Sequence, residues 1–173
     1  MKPVQRVSDQ FKFLAKRVAD LGAIEATVIK ASSVVTAGWV RLKCQYGCDG
    51  YGSSLCCPPN TPTPEETRKV IDGYETALLA HFGMNGGVTK AMVTLERETF
   101  LQGYYRAFAF GAGPCMLCKF CPKEGCKHPD RARPSMEACG IDVFATARGN
   151  GYPIHVVLNK DCEQNLYGLL LVE

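Results

Sequence analysis

The feature that most constrains this chain is a run of thiols. Cys115, Cys118 and Cys121 are each separated by two residues, and Cys126 follows after four more. A tight C-x2-C-x2-C turn can wrap one face of a polynuclear cluster so that successive thiolates reach different irons. A single zinc ion is more usually gripped by two separated C-x2-C pairs. The run departs from the bacterial ferredoxin pattern, whose fourth cysteine comes three residues later and precedes proline; here Pro122 follows Cys121 instead. Cys115, Cys118, Cys121 and Cys126 are therefore expected to hold one [4Fe-4S] cluster, with zinc as the alternative. His128 is a further zinc candidate, although a hydrogen-bonded surface histidine is the plainer reading.

A second, looser group lies upstream. Cys44 and Cys48 stand four residues apart in a glycine-rich stretch, and Cys56-Cys57 precede Pro58-Pro59. Glycines let the backbone bend closely around an inorganic group and aim amides at its sulfurs. A tight surface turn is the plain alternative. Adjacent side chains usually point apart, so Cys44, Cys48 and Cys57 are the expected ligands and Cys56 is expected in the core. The remaining iron would be capped by Cys139, Cys162 or no protein atom, and both of these cysteines are more readily read as buried small hydrophobes. An iron with an open position can act as a Lewis acid, whereas a fully ligated cluster mainly stores and passes electrons. Tyr46, Asp49 and Tyr51 are the acid, base or positioning candidates on the first of those readings.

Ten cysteines would also suit five disulfides in a secreted protein. The amino terminus has no apolar run of signal-peptide length, and no stretch approaches the roughly 20 apolar residues of a membrane span. The expectation is a cytoplasmic protein away from the membrane, where thiols stay reduced and clustered cysteines bind metal. A net charge of +3 is too weak to argue for nucleic acid. Lys119, Lys123, Lys127, Arg131 and Arg133 nonetheless place a basic rim beside the second group. That rim suits an acidic redox partner, or is merely solvated.

The chain's 173 residues, 46% hydrophobic and 21% charged, fit a single domain spanning 1–173. Apolar spacing predicts helices over 9–21, capped by Ser8 and closed by Gly22, and over 98–110. Thr63 and Glu66 form a capping box with Pro64 at the first helical position, which predicts a helix over 64–82. Ser135 caps a further helix over 135–148. Strands are expected at 23–30, 34–43, 88–96, 154–158 and 166–172. Helices alternating with strands give an α+β (mixed α/β) fold, a mixed sheet with helices packed on it and two cysteine-rich metal-binding loops.

Three segments carry a resemblance: Lys43-Cys-Gln-Tyr-Gly-Cys-Asp-Gly-Tyr-Gly, Cys57-Pro-Pro-Asn-Thr-Pro-Thr-Pro-Glu-Glu-Thr-Arg, and Gly113-Pro-Cys-Met-Leu-Cys continuing through His128-Pro-Asp-Arg-Ala-Arg-Pro-Ser-Met-Glu-Ala-Cys-Gly-Ile-Asp. In these the chain resembles an uncharacterised prokaryotic family of predicted metal-binding proteins, domain of unknown function 2284. In that pattern the cysteine before Pro-Pro stands alone, so Cys57 matches it and Cys56 departs, and no cysteine is required at Cys139. The resemblance implies metal binding in anaerobic bacteria and archaea and supplies no reaction. Two thiol groups, a basic rim and no nucleotide or flavin fingerprint point to an electron-transfer or redox accessory protein with one or two clusters. An enzyme using an open iron in sulfur transfer or a lyase-type step, and a structural zinc module, are the competing readings.

Overall fold

The computed structural model describes residues 11–84 and 87–173. Its frame is a four-stranded sheet in the order β1-β2-β4-β3, with β1 at Glu25–Lys30, β2 at Thr76–Phe82, β3 at Phe108–Phe110 and β4 at Leu166–Leu171. Every ladder is antiparallel, not mixed as expected. Among the described residues five α-helices accompany it: α1 (Lys12–Asp20), α2 (Gly38–Gly47), α3 (Pro64–Ile71), α4 (Val88–Leu101) and α5 (Val143–Gly149). The result is an α+β domain.

The central strand β2 is buried along its whole length, paired with β1 on one side and β4 on the other. Ala77 and Leu79 join Ile29, Leu169 and Leu171 on one face, covered by Ile71, Met136, Cys139, Ile141 and Tyr152. Leu78, Ala80 and Phe82 join Leu170 on the other, against Leu14 and Val18 of α1 and Met92 and Leu95 of α4. Each large apolar side chain so enclosed contributes about 2 kcal/mol. A strand buried on both faces has no in-out alternation to betray it. For that reason 76–82 reads as a continuation of the helix from Pro64, whereas α3 stops at Ile71 and Gly73 begins a turn.

Similar corrections apply elsewhere. The segment 88–96 is helical, since the buried positions Val88, Ala91, Met92, Leu95 and Thr99 recur at helical spacing. Gly103, at φ 102°, ends that helix and frees Phe108–Phe110 to become edge strand β3 instead of helix. The expected strand 34–43 is broken after a single bridge, Thr36 to Ile141, and becomes α2. The expected helix 135–148 is a 3-10 turn (Glu137–Cys139) followed by α5, because Gly140 adopts φ 75° between them. Residues 154–158 form no strand, and Val156, Val157 and Leu158 are exposed. The capping box is present: Glu66 N donates to Thr63 Oγ1 (3.2 Å) and Thr63 N to Glu66 Oε2 (2.8 Å). β1, β4 and the core of α1 lie where expected; the Ser8 cap falls outside the described residues.

Candidate metal centre

The first thiol group hangs from α2. Cys44 lies in the last turn of this helix and Cys48 is its C-cap, so the two stand one turn apart. Arg41, a turn before Cys44, donates from Nη1 to Thr61 Oγ1 (2.8 Å) and to the Ala138 carbonyl (2.9 Å), and from Nη2 to the Thr61 carbonyl (3.3 Å). One guanidinium thereby ties the helix to the chain beyond Cys57 and to the Glu137–Cys139 turn. Successive turns carry the backbone from Cys48 to Cys57: Tyr51 N to Cys48 O at 3.2 Å, Ser53 N to Gly50 O at 3.0 Å, and Cys57 N to Ser54 O at 3.1 Å. Cys57 is buried, its thiol accepting from Ser54 Oγ at 3.3 Å. Burial pushes the Cys44 thiol up, and Cys48, Glu137 and Cys57 add to the rise while Arg41 opposes it. The three expected ligands of this group are thus electrostatic neighbours.

The second group sits on irregular chain strung between two anchors. Upstream, Gly111 lies so close to α4 that a Cβ there would stand 2.1 Å from Thr89 Oγ1, and Gly111 bonds Pro134 O through its N–H and Met136 N through its carbonyl. Downstream, Arg133 donates to both oxygens of Glu96, with the two side chains only 15% and 13% exposed; Glu96 also accepts from Ala109 N of β3 (2.7 Å). Of the basic rim, Arg133 is therefore part of the scaffold, its pKa raised by that hydrogen bond to Glu96. Lys119, Lys123 and Lys127 remain exposed. His128 Nδ1 meets Arg131 at 2.7 Å, the hydrogen-bonded histidine of the plainer reading.

Cys56 links the groups. Expected in the core, it is instead half-buried, and it lines both a cleft with Cys115, Cys118, Cys121 and Cys126 and a cleft with Cys44, Cys48 and Cys57. The side chain that takes the core place is Cys139, 1% exposed, whose thiol burial pushes up to about 12. Cys56 is likewise pushed up to about 12, by burial first and then by Cys115, Cys126 and Cys57. The loops also touch directly, Leu55 N donating to Cys121 Sγ at 3.4 Å. Cys162 lines neither cleft and contacts Asn159 Oδ1 at 3.4 Å. All ten cysteines are free thiols.

With this arrangement in view, the pattern of one family, "Predicted metal-binding protein (DUF2284)", matches residues 27–172. The chain belongs to this family. No curated protein and no solved structure matches it. The DUF2284 match begins within β1, runs past the end of β4 and takes in both thiol groups, leaving α1 and the start of β1 outside it.

The donor set of this DUF2284 chain suits a soft metal. Each cleft is lined by several thiols, and thiolates select zinc or iron–sulfur over magnesium or calcium. The first cleft encloses about 190 Å³ and the second about 20 Å³, little more than one water-sized sphere. Among the described residues no three His, Cys, Asp or Glu side chains converge on a single point, so the thiols line the clefts without closing on one ion. Sequence reasoning missed Glu137, which lines the first cleft with its side chain exposed to solvent. Its signal was there in the Ser-Met-Glu-Ala-Cys stretch, where the carboxylate falls two residues before a thiol. Of the three positioning candidates only Tyr51 lines that cleft.

Proposed function

We propose that this protein is an iron–sulfur protein with two [4Fe-4S] clusters, one on Cys44, Cys48 and Cys57 and one on Cys115, Cys118, Cys121 and Cys126, that relays single electrons between a donor and an acceptor protein. The observation that carries the reading is the shared wall. Cys56 stands at both clefts and Leu55 N bonds Cys121, so occupants of the two groups would be neighbours, as a relay requires. Cys56 is also the thiol best placed to complete the first group, because Cys139 is enclosed in the core and Cys162 is elsewhere. The clusters would supply reversible one-electron storage. The chain itself supplies thiolates and exposed lysines for an acidic partner.

Protein made and purified without oxygen should be brown and contain iron and acid-labile sulfide. A strong reductant should then produce a paramagnetic signal. Cys118→Ala should remove about half of the iron, and Cys44→Ala the other half, if each group holds a four-iron cluster. Colourless protein carrying zinc would end the proposal. Iron and sulfide that accept no electron would end the relay.

A second reading has one observation in its favour. Glu137 places a carboxyl among the thiols of the first cleft, as an acid–base step at an open iron would need. On this reading cyanide or a thiol ligand changes the spectrum of the first cluster, and Glu137→Gln alters that change without loss of iron.

A further inference from the structure

A cavity larger than either thiol cleft lies beside them. It encloses about 630 Å³ between the first two turns of α4 and the segment Gly113–Leu117, a size that ordinary small-molecule sites occupy. Its apolar wall includes Val88, Val93, Met116 and Leu166, and Met84 and Met116 stand at 63% and 82% exposure. Methionines at a rim let a site adapt to differing apolar shapes. Among the described residues, the charged side chains of the lining are all basic: Lys90, Arg131 and Arg133. Arg133 is committed to Glu96, and Arg131 is engaged with His128 and lies 3.7 Å from Asp130. Among the described residues the Lys90 ammonium has no such partner and no carboxylate lines the cavity to neutralise it.

We infer that this cavity binds a small molecule with an apolar body and one anionic group, the body against Val93 and Met116 and the anion at Lys90. An apolar surface of this size is costly to leave to water, and the exposed Lys90 supplies the positive charge at its edge. A neutral ligand would leave the ammonium unmatched, and a cation would be repelled. The occupant would also lie against Cys115, which lines both this cavity and the second thiol cleft, so binding is expected to reach the metal. The inference goes beyond the electron-relay reading and does not depend on it, because Lys90 and Val93 are carried by α4 and Cys115 is the one thiol in the cavity wall, whatever metal it holds.

The test is calorimetric titration of metal-loaded protein with decanoate, decanol and decylammonium below their aggregation concentrations. Decanoate should saturate at one per chain and bind at least about ten-fold more tightly than the other two. Lys90→Glu should lose that preference, bringing decanoate down to the level of decanol. Val93→Trp should weaken both by filling the space. Arg97→Glu, an exposed charge reversal on the same helix away from the cavity, serves as the control and should change neither. Absence of saturable decanoate binding, equal binding of all three compounds, or an equal loss in Arg97→Glu would each overturn the inference. A perturbed cluster spectrum on decanoate binding would add contact with the second group, and an unperturbed one would overturn that contact while leaving the site.

Discussion

The two thiol groups lie side by side yet are held in opposite ways. The first is framed by protein: a helix carries Cys44 and Cys48, Arg41 clasps the chain on either side, and Cys57 is buried under hydroxyl donors. The second is secured at its ends, by Gly111 against α4 and by Arg133 on Glu96, with only Gly125 N to Pro122 O (3.2 Å) as a backbone hydrogen bond inside Cys115–Cys126. Met116 and Phe120 within it are 82% and 81% exposed. A loop without a core or a hydrogen-bond ladder does not repay its own ordering entropy. Its shape is therefore expected to come from what it binds, as in small metal-folded modules, whereas the first group is preformed.

The most forceful way to break this contrast is to strip the metal. Chelation under anaerobic conditions should raise amide exchange across 115–126 by ten-fold or more and leave 44–57 within a few-fold of its loaded value. Equal loss in both, read by mass spectrometry of exchanged peptides, would mean that the first loop is no more preformed than the second. Next in size is the downstream anchor. Arg133→Ala leaves Glu96 largely buried with only the Ala109 amide, and should cost about 3 kcal/mol of global stability. That loss, measured by denaturant unfolding, should appear equally in metal-loaded and stripped protein, because the anchor lies outside the loop it secures.

The same contrast explains what could be seen in the sequence. The second group was legible because its chemistry is written in consecutive spacing, which needs no fold to be read. The first was legible only in part: Cys44 and Cys48 at i and i+4 were a helical signal, but Val34, Val35 and Val40 around them suggested a strand. Cys56 was misplaced because adjacency argued that one of the pair should face the core, and the pair's neighbours across the chain were invisible. In the scaffold, local rules held where side chain meets backbone, as in the Thr63–Glu66 box. They failed at β2, where burial on both faces removes the alternation that marks a strand, and at α4, where Val88, Met92, Val93 and Leu95 also fit a strand pattern. Glu137, Arg41 and the Arg133–Glu96 pair depend on contacts across dozens of residues, and no window along the chain could reveal them.

A smaller effect tests the frame of the first group. Arg41→Met keeps much of the apolar stem but gives up three hydrogen bonds to Thr61 and Ala138, and should cost about 2 kcal/mol. Unlike Arg133→Ala, it should also raise exchange across 44–57, because it frees the helix end that carries Cys44. If exchange there stays unchanged while stability falls, Arg41 supports the core and not the thiol loop.

The gentlest test uses the thiol that belongs to neither group. Cys139 is enclosed beside the first cleft, and burial raises it from an ordinary value of 9.0 to about 12. The unfolded chain ionises this thiol near 9 and the folded chain does not. Between these values the folded state holds the extra proton, so stability falls as pH rises, by somewhat less than about 1 kcal/mol from pH 8 to 9.5. Cys139→Ala should flatten that part of the stability-against-pH curve in urea titrations, at the expense of a small cavity. It should leave metal content untouched, since the side chain lies in the apolar core with Ile71 and Ile141. If Cys139→Ala instead sheds metal, Cys139 is a ligand, and the first group reaches through its frame into the core.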